Sequence, residues 1–149
     1  MLLKRDHQTI STLFREFERL AKDDTHGRKE CFARIRQELD VHARIEEELF
    51  YPELAKVPEV SDLVREAVAE HQLVKDLATE ISKLSPDDPD YTAKVTVLRE
   101  NVEHHVEEEE GEMFPLAKKH LTSERLEKIA DQLENRRDEL LKQKKSVPA

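Results

Sequence analysis

The sequence is poor in the residues that build sheets and disulfide-linked domains. It contains two glycines, no tryptophan, one cysteine and an aromatic fraction of 5%. A single cysteine cannot form an intramolecular disulfide, which agrees with a reducing compartment. Charged residues instead make up 40% of the chain, a composition typical of long amphipathic helices. The composition therefore predicts an all-α fold.

Two further absences concern partners and location. The formal net charge is −9, so the concentrated lysine and arginine of a nucleic-acid groove or a membrane-binding surface are missing. The chain has no apolar run of about 18 residues to cross a bilayer, and its N-terminus lacks the apolar core of a signal peptide. We therefore expect a soluble, cytoplasmic protein that binds neither nucleic acid nor membranes.

Apolar residues recur at alternating steps of three and four along most of the chain, which is the spacing of one helix face. The pattern predicts helices at about residues 3–21, 28–50, 60–84 and 90–110. Proline should end the second helix near Tyr51 and Pro52, and Gly111 and Pro115 should loosen or end the fourth. Ser123 is expected to cap a last helix over about 124–142. Residues 1–121 would then form a helical bundle, and residues 122–149 a C-terminal helix with a basic tail.

In each of the four long helices, polar residues interrupt the apolar face. Histidine, or histidine followed by glutamate one turn later, occupies positions where leucine or valine is expected. Burying such groups costs free energy unless a partner satisfies them. The six residues are His7, His42, Glu46, His71, His105 and Glu109.

These polar positions and the residues around them form an internal repeat. The tripeptide DHQ at residues 6–8 matches EHQ at 70–72, and HARIEEELFYP at 42–52 matches HVEEEEGEMFP at 105–115. The chain thus reads as two helical hairpins built on one plan. An antiparallel up-down four-helix bundle with an approximate two-fold axis, plus the C-terminal helix, is the arrangement that this predicts.

Four imidazoles and two carboxylates without a thiolate suit iron, manganese or zinc. Two irons (Fe2+ or Fe3+) are favoured over one, because the symmetry supplies two histidines to each metal and each glutamate can bridge both. Each iron would then have two nitrogens, two carboxylate oxygens and a shared oxo or hydroxo. At least one coordination position would stay open for O2, peroxide or NO.

Simpler interpretations exist for each residue alone. A lone histidine on an apolar face is more often a hydrogen-bonded core residue, and a single His-x-x-x-Glu pair is more often solvent-exposed. Repetition at six positions argues against both, although a metal-free bundle remains an alternative. Neither the Glu-x-x-His pairs of ferritin-like sites nor a His-Glu-x-x-His stretch occurs. Glu47, Lys75 and Glu110 are the residues we expect to support the ligands from outside; the pattern identifies no catalytic residue.

Both repeated stretches, with their acidic run and Tyr-Pro or Phe-Pro ending, resemble the hemerythrin-like (HHE) cation-binding domain over about residues 3–120. The resemblance implies a bundle with a non-haem di-iron centre. It further implies that the four histidines are terminal ligands and that Glu46 and Glu109 bridge the metals. The oxygen-carrying hemerythrins have a further histidine one turn after the third-helix histidine, where this chain has Lys75. Reversible O2 storage is therefore not favoured.

The leading functional hypothesis is a di-iron protein that reacts with O2, hydrogen peroxide or NO in oxidative or nitrosative stress, with catalase-like or NO-handling activity. The alternative is a non-catalytic iron or oxygen sensor, or a plain metal-binding module. A sensor needs a partner surface, for which the basic residues Arg136, Arg137 and 142–145 are the candidates. The sequence identifies neither the physiological small ligand nor a protein redox partner.

Overall fold

The structure, a computed structural model, describes residues 2–146, with side chains up to residue 144. Within that range all regular elements are helices, which confirms the predicted all-α class. None of the helices described is long and apolar enough to cross a membrane. The helices are α1 (Leu2–Arg19), α2 (Thr25–Ile45), α3 (Tyr51–Ala55), α4 (Pro58–Ser82), α5 (Pro89–Glu108), α6 (Phe114–His120) and α7 (Ser123–Ser146).

Helices α1 and α2 form one hairpin and α4 and α5 form the other, and the two hairpins pack into the predicted four-helix bundle. Asp24 caps α2 by accepting a hydrogen bond from the Gly27 amide, and Asp88 caps α5 through the Asp90 amide. Such caps satisfy amides that have no partner within the helix. Short capped turns thereby fix where each helix begins.

The apolar core consists of two clusters. One contains Leu3, Ile45 and Phe114 near one end of the bundle, and the other contains Ile10, Ile35 and Leu98 towards the opposite end. Between these clusters lie the buried polar residues of the helix faces. The polar layer is thus enclosed by hydrocarbon above and below, where an unpaired charge is expensive.

The predicted end of the second helix is wrong, and the fourth helix is loosened at Gly111 without ending there. Each helix continues through one π-helical turn, Glu46–Phe50 or Glu109–Met113, into a further α-helix that ends at Ala55 or His120. Proline lacks an amide proton and its ring clashes with the carbonyl four residues earlier, so a widened turn lets the chain pass Pro52 and Pro115 without ending the helix.

Smaller differences also have local causes. His26 lies in the first turn of α2, which begins earlier than the spacing predicts, and His120 lies at the end of α6, beyond the predicted end of the fourth helix. Ser123 is the first residue of α7 rather than its cap, because the Thr122 hydroxyl accepts the Arg125 amide.

Helix α7 packs on the bundle through buried Ile129, Leu133 and Leu140. Its cations also face the bundle: Arg136 pairs with Glu48 and Lys144 with Asp40, and Arg137 pairs with Glu38 and Asp6. Part of the basic surface proposed for a partner is therefore engaged within the chain. The division of the chain at residue 121 stays a prediction.

Replacing Leu133 by alanine should lower the free energy of unfolding by about 2–5 kcal/mol, because a cavity would replace a side chain that is only 3% exposed. Leu73→Ala is the matched control, since Leu73 is 65% exposed. Chemical denaturation of both variants measures the difference. Equal losses in the two variants would show that α7 does not contribute to the core.

Candidate metal centre

The bundle brings the six sequence-predicted residues together in two trios. Within each trio the possible ligand atoms all lie within 4.8 Å of one another. Each trio takes two histidines from one hairpin and a glutamate from the other, so the glutamates cross between hairpins. The first trio is His7, His42 and Glu109, and the second is Glu46, His71 and His105.

Both glutamates also reach the trio to which they do not belong. Glu46 Oε1 lies 3.1 Å from His42 Nε2 and 3.3 Å from His71 Nε2. Glu109 Oε1 lies 3.0 Å from His7 Nε2 and 3.5 Å from His105 Nε2. The two carboxylates are fully buried. Their position between the trios is the one that a bridging carboxylate needs.

A carboxylate faces the outer nitrogen, Nδ1, of every histidine. Three distances are within hydrogen-bonding range and the fourth is 3.5 Å. In His7, His42 and His105 the Nδ1–H donates to the carboxylate, so Nε2 keeps its lone pair and points inward; His71 Nδ1 forms no hydrogen bond among the described residues. The four pairs are His7 with Glu110 at 2.8 Å, His42 with Asp6 at 2.9 Å, His105 with Glu70 at 3.4 Å and His71 with Glu47 at 3.5 Å.

The repeat encodes these outer carboxylates. Asp6 and Glu70 directly precede the first histidine of each hairpin, and Glu47 and Glu110 directly follow each buried glutamate. Glu47 and Glu110 were predicted from the sequence, whereas Asp6 and Glu70 were not, although both are part of the DHQ and EHQ repeat. Lys75, the third residue expected beside the ligands, makes no side-chain hydrogen bond or ion pair with the described residues.

Several buried atoms of the centre have no protein partner that satisfies them. His42 Nε2 and Glu46 Oε2 form no hydrogen bond among the described residues, and His71 Nε2 lies only 3.1 Å from His105 Nε2. If both Nδ1 atoms carry the proton, the two Nε2 lone pairs face each other, which is repulsive without a cation between them. These residues therefore fit a metal ion.

The carboxylates also alter the acid–base behaviour of the histidines. Burial alone lowers the pKa of His105, but the hydrogen bond and charge of Glu109 raise it to about 9. Burial likewise lowers the pKa of His42, and the charge of Glu46 with the Asp6 hydrogen bond raises it well above its usual value. Burial raises the pKa of Glu109, whereas hydrogen bonds within the cluster hold it well below its usual range. The centre thus attracts positive charge.

Tyr51 is a site residue that the sequence analysis missed, since it was expected only to end a helix. Its Oη donates to Glu109 Oε2 at 2.5 Å and to Glu46 Oε1 at 3.2 Å. It also lies 3.4 Å from His71 Nε2 and 3.3 Å from His105 Nε2. Burial and the two glutamate charges raise the pKa of Tyr51.

The two trios differ at this position. The residue that corresponds to Tyr51 in the second repeat is Phe114, which has no hydroxyl and stacks on His7 with a centroid separation of 6.0 Å. Each π-helical turn begins at the buried glutamate and is closed by a bond from the Tyr51 or Phe114 amide to that glutamate's carbonyl. An aromatic ring is therefore placed against the centre in both hairpins, but only the ring of Tyr51 has a hydroxyl group.

Two other residues whose side chains could bind a metal, His104 and Cys31, lie outside the trios. His104 is exposed and pairs with Glu108 on its own helix at 2.9 Å. Cys31 is buried, donates to the Leu13 carbonyl, and has a pKa raised by burial. Neither residue reaches the two trios.

The hemerythrin HHE cation-binding domain model matches residues 2–117. The chain belongs to this family. An HHE domain-containing protein from Mycobacterium kansasii, the homolog of Rv2633c, has a crystal structure that superposes with a TM-score of 0.77 at 28% identity. The alignment covers 97% of this chain and 90% of that protein. The buried His/Glu trios thus belong to a metal-binding module of the HHE type.

Two curated relatives have different lengths. The uncharacterized protein Rv2633c of Mycobacterium tuberculosis is 30% identical over 140 residues, which cover 93% of this HHE chain and 84% of that protein. A DNA nickase of Nostoc sp. is 30% identical over 129 residues, but this HHE chain spans only 36% of its length. The name of that larger protein describes the whole of it and does not transfer to the shared part.

Replacing Glu110 by glutamine should weaken metal binding by about ten- to a hundredfold while leaving the helices intact, because an amide orients His7 less firmly than a carboxylate does. Glu107→Gln, an exposed change in the same acidic run, is the control. Competition with a chromophoric chelator measures the affinity and circular dichroism measures the fold. If both variants keep the wild-type affinity, the outer carboxylate has no role in the site.

Proposed function

We propose that this HHE domain binds two iron ions, one at each trio, with Glu46 and Glu109 bridging them. The observation that carries the proposal is that each buried glutamate lies between a histidine of one trio and a histidine of the other. Nitrogen and oxygen ligands without thiolate suit non-haem iron. Two bridging carboxylates offset the repulsion between two cations in a medium of low dielectric constant.

At the second trio, Tyr51 supplies a further oxygen ligand. Its distances to Glu46 Oε1, His71 Nε2 and His105 Nε2 are 3.2, 3.4 and 3.3 Å. Atoms bound to one metal ion at about 2.1 Å and at right angles lie about 3 Å apart. A bound cation also favours the deprotonated phenol, offsetting the burial that otherwise raises its pKa.

The first trio is then the more open of the two. Phe114 offers no ligand atom there, and its ring, packed against Phe50 at 5.7 Å, keeps that side apolar. Neither of these side chains competes with a small ligand for the metal. We assign the binding of the small ligand to this trio.

Hydrogen peroxide is the substrate that we assign to the centre. An iron pair, when bound, supplies the store of two electrons that peroxide chemistry needs. One peroxide is reduced to water and a second is oxidised to O2, so the reaction balances without an external reductant. The protein residues would hold the two ions and surround them with hydrocarbon on both sides, and at the first trio they would leave a position without a protein ligand. A role in oxidative stress and a cytoplasmic location remain predictions.

The iron stoichiometry is the first test. The purified protein should contain two irons per chain, and His105→Ala should lose at least one of them because it removes a nitrogen from the second trio. His104→Ala is the matched control, since the neighbouring imidazole is exposed and outside both trios. Metal analysis of the three proteins decides the matter. A wild-type protein without iron, or a His105 variant with unchanged iron, would refute the proposal.

The second test concerns Tyr51 and peroxide. The ferric protein should show a visible phenolate-to-iron absorption band that Tyr51→Phe removes and Tyr91→Phe keeps, because Tyr91 is buried in the other part of the core. Added hydrogen peroxide should release O2, measured with an oxygen electrode. O2 release no faster than that of free iron would exclude the peroxide reaction, and an unchanged spectrum in Tyr51→Phe would exclude the ligand role alone.

A further inference from the structure

A cavity of about 630 Å³ lies between α2 and α4, within the range of about 300–1,000 Å³ that small-molecule sites occupy. Small side chains line it where the two helices face each other, namely Ala33 and Ala43 on α2 and Ala78 on α4. Larger residues at these positions would fill the gap. The groove therefore follows from the sequence of both helices.

The groove is mainly apolar away from the metal centre, and at the end beside the centre its lining includes the four histidines of the two trios. Leu39 and Val74 line it near the metal centre, and Phe32, Ile81 and Leu84 line it towards the other end. Ile10 of α1 and Tyr91, Val102 and Val106 of α5 complete the floor. A ligand in this groove would therefore be in contact mainly with hydrocarbon.

The rim of the groove carries cations without carboxylate partners. Lys29, Arg36 and Lys75 are exposed lining residues, and none of the three forms an ion pair with residues 2–144. The side chain of Arg36 contacts only the Thr79 hydroxyl across the groove, at 3.4 Å. Of the other charged lining residues, Asp40 pairs with Lys144, Arg44 pairs with Glu48, and the Glu47 carboxylate faces His71 Nδ1. Three cations therefore remain without a carboxylate partner at the rim, which favours an anionic ligand.

The two properties together restrict the class of ligand. A small inorganic anion would make no contact with most of the apolar floor, and a neutral hydrocarbon would leave the cations without a counter-charge. Arg36 lies only about 10 Å along α2 from Lys29, less than the length of an extended long acyl chain, so a chain whose carboxylate is at Arg36 would lie folded within the cavity of about 630 Å³. We propose that this groove binds one long-chain fatty acid, with its carboxylate at Arg36 and Lys75 and its chain over Phe32, Ile81 and Leu84.

Titration of the full-length, metal-loaded protein with palmitate, by displacement of a fluorescent fatty acid, tests the proposal. Binding should saturate at one palmitate per chain. Ala33→Leu should weaken it by about tenfold or more by filling the groove, whereas Ala93→Leu, at an exposed site on α5 outside the groove, should not.

Charge provides the second comparison. The double variant Arg36→Gln with Lys75→Gln should weaken palmitate binding by about tenfold, and Arg65→Gln, an exposed arginine outside the groove, should leave it unchanged. Hexadecylamine, a cation with the same chain, should bind more weakly than palmitate. Binding is measured without peroxide turnover, so its outcome is independent of the activity proposed above.

Three results would overturn the inference. Palmitate binding that does not saturate, or an affinity equal in all variants, would show that the groove is not a fatty-acid site. Equal affinity for hexadecylamine would show that the cations do not select the ligand. A dimer that Ala33→Leu dissociates, in a protein that does not bind palmitate, would assign the groove to a second copy of the chain.

Discussion

The burial of Glu46 and Glu109 beside four histidine nitrogens is the constraint on which the rest of the bundle depends. Two carboxylates in a medium of low dielectric constant require positive charge close by, and the apolar clusters on both sides supply none. The outer carboxylates turn every Nε2 towards the same volume, so each hairpin completes the site of the other. Even α7 is coupled to this layer, because Arg137 lies 3.2 Å from Asp6 Oδ1 and Asp6 in turn holds His42.

The π-helical turns convert this symmetric plan into an asymmetric centre. Each turn inserts the extra residue directly after a buried glutamate, which places the residue five positions later against the trios. In the first repeat that residue is Tyr51 and in the second it is Phe114. The π-helical turn shared by both hairpins thus places a phenol beside one trio and a hydrocarbon ring beside the other. The chemical difference between the two trios at this position is one hydroxyl group.

Much of this arrangement could be predicted because buried residues recur at helical spacing in the sequence and because the two hairpins repeat the same pattern. The four long helices, the pairing of hairpins and the convergence of the six polar residues all follow from helix spacing. The π turns did not follow, since a proline reads as a helix end unless the widened turn that accommodates it is known. Tyr51 was missed for the same reason, because the extra residue moves its side chain to a different face. Asp6 and Glu70 were visible in the repeat but had no assigned role, as an acidic residue beside histidine is usually solvated.

Lys75 relates the ligand set of the second trio to the groove. It follows His71 by one helical turn, at the position where the oxygen-carrying hemerythrins that this chain resembles have a further histidine. A protonated ammonium cannot donate a lone pair to a metal, so Lys75 adds no ligand to this trio, and the Tyr51 hydroxyl is the further polar group beside it instead. The Lys75 side chain lines the groove, where its charge has no carboxylate partner among residues 2–144. Lysine at this position therefore adds nothing to the ligand set and places a cation at the rim of the groove.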